Sequence, residues 1–190
     1  MSLTLEVNVE DLTLTGLLPL NGTGNPLANV LLGNAAANVL TGAAGNDTLD
    51  GAAGNDTLSG GIGADTYLFG RVAGVDTIQE NDATAGVVDR VQFGTNIVQA
   101  DTPFTRTGND LTAAIAGTSD KLVVKDWFLG TAYQVEQFAY ANGTVLNNTQ
   151  VANLLAAMAA FDEPAAAASS TMMRTTQFHA TDLAAYGAMT

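Results

Sequence analysis

Apolar residues recur at every ninth position between Thr23 and Tyr67, and each stands at the centre of a short triplet. In the triplet Thr48–Leu49–Asp50, for example, polar residues flank one leucine. Side chains alternate between the two faces of a strand, so each triplet predicts a short β-strand with one side chain turned inward. The inward positions are Leu31, Leu40, Leu49, Leu58 and Tyr67.

The six residues between successive triplets predict tight turns. Every unit opens with a glycine, which adopts backbone conformations that other residues avoid, and Asn46 and Asn55 tolerate the left-handed region better than most residue types. Five units keep an unbroken nine-residue period, which indicates a solenoid. Two units complete one flattened turn, so loops 18 residues apart stack on one edge. The pattern predicts an all-β fold whose main part is a parallel β-roll.

A different pattern follows the repeats and predicts a β-rich C-terminal cap. The segments 88–93, 108–111, 121–128 and 133–138 have strand-like alternation and are separated by Gly/Asn turns. A cap has a physical task here, because the end of a solenoid exposes unpaired backbone and apolar side chains. We expect Trp127 and Phe128, within the third of these segments, to lie in the core of the cap.

The two ends of the chain carry their own patterns. At the start, alternating apolar residues predict a strand from Leu3 to Val9. After the cap, helical spacing of apolar residues predicts one short amphipathic helix that is capped by Asn148 or Thr149 and ends before Pro164. Its apolar face comprises Val151, Leu154, Leu155 and Met158.

Charge points to a cation as the partner of this chain. The sequence has 19 acidic and 6 basic residues and a net charge of -13, which argues against a nucleic-acid surface. Residues 23–67 contain no lysine or arginine at all. The chain has no run of 18 apolar residues, so the sequence predicts no membrane-spanning segment.

The composition also makes most enzyme classes poor candidates. Cysteine is absent, which excludes disulfides and thiol chemistry, and the lone His179 has no partners nearby for a catalytic triad. No G-x-S-x-G nucleophile motif occurs. We therefore expect no catalytic residue in this chain.

One polar position of the repeat is a candidate metal-ligand position. It is occupied in turn by Asn29, Asn38, Asp47, Asp56 and Asp65. Stacked strands lie about 4.8 Å apart, so stacked carboxylates would repel each other unless a cation lay between them. Ca²⁺ fits best, because it takes six to eight oxygen ligands in forgiving geometry, whereas Mg²⁺ demands a strict octahedron and Zn²⁺ prefers N or S ligands. The alternatives are a metal-free solenoid or a Gly/Ala/Asn linker.

The last unit, Gly60–Leu68, matches G-G-x-G-x-D-x-U-x at every fixed position. The repeats thus resemble the haemolysin-type calcium-binding repeats of the RTX (repeats-in-toxin) family, whose β-roll binds Ca²⁺ through aspartates and loop glycines. The resemblance implies two to four Ca²⁺ ions. The expected ligand positions are Asp47, Asp56, Asp65, Asp76, Gly42, Gly45, Gly51, Gly54, Gly60, Gly63 and Asn38.

Edge pairing ranks these sites. Asp47 should pair with Asp65, and Asp56 should pair with Asp76, which follows an irregular 11-residue step and is expected to bind less tightly. Loops that carry Asn29 or Asn38 offer an amide in place of a carboxylate, so we expect their sites to be the weakest.

The family resemblance extends to the flanking regions and suggests four segments. Residues 1–22 resemble a degenerate repeat, and the chain resembles a fragment that begins within a longer array. Residues 77–145 resemble the haemolysin-type C-terminal cap. The expected segments are 1–22 (degenerate repeat and strand), 23–78 (nonapeptide β-roll), 79–163 (β-rich cap ending in a helix) and 164–190 (Ala/Ser/Thr-rich tail).

By resemblance, the function is calcium-dependent folding of the C-terminal part of a protein secreted by a bacterial type I system. The tail would then carry the export signal read by the type I secretion machinery, although an inert tail would have the same composition. The expected protein is extracellular, secreted or attached to the cell surface, and monomeric. Two alternatives remain open: a segment of a calcium-stiffened surface adhesin or S-layer protein, and the non-catalytic tail of a secreted hydrolase or toxin whose activity lies upstream.

Overall fold

The computed structural model describes residues 1–162, which form fifteen short β-strands and one α-helix. The strands of the repeat region are β1 (Ser2–Thr4), β2 (Asp11–Thr13), β3 (Asn21–Thr23), β4 (Val30–Leu32), β5 (Val39–Ala44), β6 (Thr48–Asp50), β7 (Thr57–Ile62), β8 (Thr66–Phe69) and β9 (Val75–Ile78). The later elements are β10 (Arg90–Phe93), β11 (Phe104–Thr107), β12 (Asp110–Ala114), β13 (Lys121–Val124), β14 (Gln137–Ala139), β15 (Val145–Asn147) and α1 (Asn148–Asp162).

Alternate strands of the repeat region build two facing parallel sheets. One sheet contains β1, β3, β5, β7 and β9, and the other contains β2, β4, β6 and β8. The register places Leu40 beside Leu58 and Leu31 beside Leu49, an offset of two repeat units. The predicted parallel β-roll is therefore confirmed.

The repeated apolar position fills the space between the sheets. Leu31, Leu40, Leu49, Leu58 and Tyr67 are all fully buried. Burial of one such side chain contributes about 1.5–3 kcal/mol relative to exposure. Because the residues on either side of each inward side chain, such as Thr48 and Asp50, lie on the outer face, the period-two alternation of each triplet explains why so thin a roll has a continuous core.

The cap continues both sheets of the roll before it closes them. Strand β13 pairs in parallel with β9, while β10 and β14 extend the other sheet in parallel beyond β8. The sheets then end in antiparallel pairs, β13–β12–β11 in one and β14–β15 in the other. The expected β-rich cap is confirmed, with Trp127 1% exposed and Phe128 half-buried beside it.

Helix α1 packs against β11 and β15. Its N-terminal cap lies at Asn147, so the predicted caps, Asn148 and Thr149, were one and two residues too late. The Asn147 side chain accepts from the Gln150 backbone N–H (2.8 Å), and the Asn147 N–H donates to the Gln150 side chain (2.9 Å). This reciprocal pair satisfies two backbone N–H groups at the helix start.

The first residues differ from the predicted strand. Only Ser2–Thr4 is extended, and the chain then turns between β1 and β2, with a positive φ of 66° at Asn8. Val7 is consequently 75% exposed instead of lying on a strand face. No helix in the described part of the chain is long and apolar enough to cross a membrane. The expected tail, residues 164–190, lies outside the described residues.

Candidate metal centre

The turns of the roll stack along two edges. The first edge carries the loops 24–29, 42–47, 60–65 and 79–89, each of which leads from the first sheet to the second. The second edge carries the loops 33–38, 51–56 and 70–74, which lead back. Most of these loops end in a residue that precedes a strand and turns its side chain inward. These residues are Asn29, Asp47, Asp65 and Asp89 on the first edge and Asn38 and Asp56 on the second.

On the first edge these inward side chains form a hydrogen-bonded column. The backbone N–H of Asn29 donates to Asp47 Oδ1 (2.7 Å), and that of Asp47 donates to Asp65 Oδ1 (2.8 Å). The N–H of Asp65 in turn donates to Asp89 Oδ1 (2.8 Å). Each carboxylate therefore uses one oxygen to accept a hydrogen bond from the neighbouring loop, and this bond fixes the orientation of the carboxylate.

The second edge repeats this arrangement. Asp56 Oδ1 accepts from the Asn38 N–H (2.7 Å), and Asp76 Oδ1 accepts from the Asp56 N–H (3.0 Å). The two additional residues before Asp76 are taken up by a turn at Arg71–Val72, where Val72 has a φ of 64°. The structure thus places Asp47 next to Asp65 and Asp56 next to Asp76, while their pairing as calcium sites stays a prediction.

The second carboxylate oxygen has no partner in three consecutive loops. Oδ2 of Asp47, Asp56 and Asp65 is buried without a hydrogen bond, and each residue is only 1% exposed. Such a buried, uncompensated oxygen costs free energy unless something binds it. A Cβ on Gly42 would fall between Asp47 Oδ2 and the Gly60 carbonyl oxygen, so glycine keeps open a small space between two oxygen atoms.

A second glycine position shapes the same loops. Gly45, Gly54 and Gly63 have φ values of 110°, 143° and 131°, which L-residues with side chains rarely adopt. Their φ values alone disfavour substitution, and a Cβ on Gly63 would also collide with the Gly45 carbonyl oxygen of the preceding loop on that edge. The carbonyl oxygen of Gly45 therefore lies against the next loop on that edge, where only glycine leaves room for it.

Burial raises the pKa of every carboxyl group in the two columns. Desolvation raises the pKa of Asp65 to about 7, with further contributions from neighbouring Asp47 and Asp89. Burial and the nearby Asp56 raise the pKa of Asp76 to about 7. The pKa values of Asp47 and Asp56 are also raised, mainly by burial. Burial therefore disfavours the ionised form of these carboxyl groups, and a nearby positive charge would favour it.

The side chains present fit a hard cation with oxygen ligands. Among residues 1–162 no point brings together three acidic, histidine or cysteine side chains, so carbonyl oxygens would have to complete any coordination shell. Ca²⁺ accepts such a mixture of carboxylates and carbonyls, whereas Zn²⁺ prefers N or S ligands. The two ion pairs of the described residues, Arg71–Asp101 and Lys125–Asp110, involve none of the column aspartates.

Asn38 differs from the aspartates that were predicted with it. Its Oδ1 accepts from the Asn34 N–H (2.8 Å), and its Nδ2 donates to the Leu20 carbonyl (2.8 Å). The side chain thus has partners on both polar atoms within the chain. We therefore do not propose Asn38 as a ligand.

The structure adds acidic residues that the repeat frame did not reveal. Asp89 and Glu136 continue the first-edge column into the cap, since the Asp89 N–H donates to Glu136 Oε2 (2.8 Å). Each precedes a strand in an acid–x–apolar triplet like that of Asp65, and this signal could have identified them from sequence. Glu80 is buried, accepts from the Tyr67 hydroxyl (2.5 Å), and has its pKa raised to about 8 by burial.

On the second edge the cap contributes Asp120. Its two carboxylate oxygens accept from the N–H groups of Val72 (2.9 Å) and Gly74 (3.0 Å). Asp120 thereby closes the last loop of that edge with hydrogen bonds that span 46 residues of sequence or more. Asp120 precedes β13 in an acid–x–apolar triplet like those of Asp89 and Glu136, but only the tertiary structure shows that it reaches the loop at Val72 and Gly74.

Comparison with known proteins identifies the repeats. Residues 23–58 and 32–67 match the RTX calcium-binding nonapeptide repeat family (four copies). These are RTX calcium-binding repeats. Residues 110–150 match a second family, described as the haemolysin-type calcium binding protein related domain. This range contains β12 to β15 of the cap.

Two individual proteins are also similar to this chain. Over 92 residues the chain is 38% identical to the iron-regulated protein FrpA of Neisseria meningitidis serogroup C. That alignment covers 47% of this chain but only 8% of FrpA, so this chain spans a small part of that relative's length. The AlgE6R3 subunit of the Azotobacter vinelandii mannuronan C5-epimerase is 26% identical, with a TM-score of 0.40 over 91% of this chain and 97% of that subunit.

Proposed function

We propose that this RTX chain is a calcium-dependent folding module in which Ca²⁺ binds at the carboxylate-bearing loops of both edges. The observation that carries the proposal is the buried, unpartnered Oδ2 of Asp47, Asp56 and Asp65. The proposed ligands are these three side chains and Asp76, together with carbonyl oxygens of the loop glycines, such as Gly60 O beside Asp47 Oδ2. The role is structural, and no residue of the chain is assigned a catalytic task.

The cation supplies the positive charge that the columns lack. Without it, folding buries several carboxyl groups whose pKa values rise on burial, which opposes the folded state near neutral pH. Bound Ca²⁺ stabilises only the folded roll, since the stacked loops do not exist in the unfolded chain. For a dissociation constant of about 10⁻⁴ M and about 1–10 mM calcium, each ion contributes roughly 1.4–2.7 kcal/mol.

Two to four ions would thus decide whether the chain folds. The total of a few sites is comparable with the whole stability of an ordinary domain, about 5–15 kcal/mol. Far-ultraviolet circular dichroism should show little β-structure in chelator and its appearance on addition of calcium. A folded spectrum in excess chelator that calcium leaves unchanged would contradict the proposal.

The same chemistry supports a role in secretion. We infer that the chain is part of an extracellular protein that leaves a bacterial cell unfolded through a type I system, at low cytosolic calcium, and folds in millimolar calcium outside. The Ala/Ser/Thr-rich residues 164–190 would then carry the export signal, and any enzymatic or adhesive activity would reside elsewhere in a longer protein. Co-expression with a type I transporter tests this: removal of residues 164–190 should abolish export, and unimpaired export would refute the assignment.

A further inference from the structure

The loops of the roll fall into two structural classes. The carboxylate loops (residues 42–47, 51–56 and 60–65) end in aspartate and have glycine at the fourth position. The amide loops (residues 24–29 and 33–38) end in asparagine, have asparagine at the second position and lack the fourth-position glycine. Both classes stack in the same two columns, so they occupy equivalent places in the fold.

In the amide loops, the asparagine side chains form hydrogen bonds within their own loop. In loop 24–29, Asn29 Oδ1 accepts from the Asn25 N–H (2.7 Å), and the Asn29 amide donates to Asn25 Oδ1 (3.3 Å). Loop 33–38 repeats the arrangement, with 2.8 Å from the Asn34 N–H to Asn38 Oδ1 and 3.1 Å from the Asn38 amide to Asn34 Oδ1. The buried side-chain atoms without partners include aspartate oxygens but no atom of these four asparagines.

The asparagine Oδ1 takes the place of the unpartnered aspartate oxygen. A Cβ on Gly33 would meet Asn38 Oδ1 and the Gly51 carbonyl, just as one on Gly42 would meet Asp47 Oδ2 and the Gly60 carbonyl. In the amide loop, however, a backbone N–H already donates to that oxygen. In the amide loop, a backbone N–H of the chain therefore occupies the position at which the carboxylate loops have no hydrogen-bond donor.

Backbone conformation explains why only one class has this donor. At the second position, the carboxylate loops have positive φ values, 91° at Ala43, 67° at Ala52 and 103° at Gly61. The asparagines at the second position of the amide loops are not among the positive-φ residues. The N–H groups of Asn25 and Asn34 point at the loop-closing side chain, whereas those of the carboxylate loops leave Oδ2 unpartnered.

We propose that the amide loops take no cation and form a calcium-independent end of the roll that stays ordered when calcium is too scarce to fill the carboxylate loops. This inference rests on the proposed calcium binding for the carboxylate loops alone. The amide loops also present the N–H groups of Asn29 and Asn38 to Asp47 and Asp56 (2.7 Å each). The ordered end thus holds the first carboxylate of each edge in position.

Hydrogen exchange of the full chain across a calcium titration tests this inference. At sub-saturating calcium, the amides of Asn25 and Asn34 should exchange at least about tenfold more slowly than those of residues 42–67. Loss of protection in both regions at the same calcium concentration would overturn the proposal. If the chain binds no calcium at all, the proposed function fails, whereas protection of Asn25 and Asn34 in chelator would still support the amide closure.

Reciprocal loop exchange provides the matched variants. Loop 33–38 (GNAAAN) becomes identical to loop 51–56 (GAAGND) through N34A, A36G, A37N and N38D, and the four opposite changes convert loop 51–56. The first variant should raise the number of calcium ions measured by native mass spectrometry and lose low-calcium protection of residues 33–38. The second should lower the number of ions. Unchanged ion numbers in both variants would show that loop class does not determine cation binding.

Discussion

Replacement of Asp65 by asparagine should destabilise the folded roll in calcium but not in chelator. Asparagine keeps an oxygen to accept from the Asp47 N–H, which Asp65 Oδ1 now does at 2.8 Å, but it removes the charge next to the proposed ion. In calcium, loss of one ion should cost roughly 1.4–2.7 kcal/mol at about 1–10 mM. For a chain of this size that free energy corresponds to a decrease in Tm of about 3–10 °C.

In chelator the same substitution should not destabilise the roll. Burial raises the pKa of Asp65 to about 7, so ionisation of this carboxyl above that pH opposes folding. Asparagine removes this cost, and D65N should equal or exceed the stability of the original chain at about pH 8. Because the original chain is expected to have little β-structure in chelator, the quantity to compare there is the folded fraction measured by circular dichroism.

Thermal unfolding followed by circular dichroism measures the roll, and fluorescence of the buried Trp127 measures the cap. The control is D101N, which removes the same charge from a half-exposed ion pair with Arg71 (3.6 Å) outside the columns. That variant should differ little from the original chain in either condition. Equal losses for D65N in calcium and in chelator would refute the reasoning, because they would indicate a packing defect and no role for charge.

Three further results are expected. In chelator, the folded fraction should rise as the pH falls from about 8 towards about 5, since Asp65, Asp76 and Glu80 bind protons more tightly when folded (pKa about 7, 7 and 8) than when unfolded; a folded fraction that circular dichroism finds independent of pH would contradict this. L49A should cost about 2–5 kcal/mol in calcium by denaturant titration, whereas L17A at an 86% exposed site should cost little. G63A should raise the calcium midpoint of folding, because φ is 131° there and a Cβ would strike the Gly45 carbonyl, while G70A, with open space around it, should leave the midpoint unchanged.

The local pattern was sufficient to predict the roll and its columns. A nine-residue period with one apolar residue per triplet allows few arrangements other than two stacked sheets, because each triplet has a single inward side chain and each loop is too short for any other connection. The same period places Asp47 next to Asp65 on one edge, because the two residues are two repeat units apart in the sequence. Composition then indicated the cation, since nothing basic lies within residues 23–67.

Period alone could not determine where the columns end or what closes them. The hydrogen bond between Asp65 and Asp89 links residues 24 positions apart, and the one between Val72 and Asp120 links residues 48 positions apart. The nine-residue repeat predicts neither sequence separation. Likewise, the positions of Asn29 and Asn38 in the frame suggested weak ligands, but only the φ values and hydrogen bonds of their loops reveal that these side chains are already satisfied. Repetition encodes what each turn shares with the next, and therefore the sequence by itself determined the roll. The boundaries, the closing side chains and the partner of each polar atom depend on contacts between segments far apart in the chain, and these were decided by the tertiary structure.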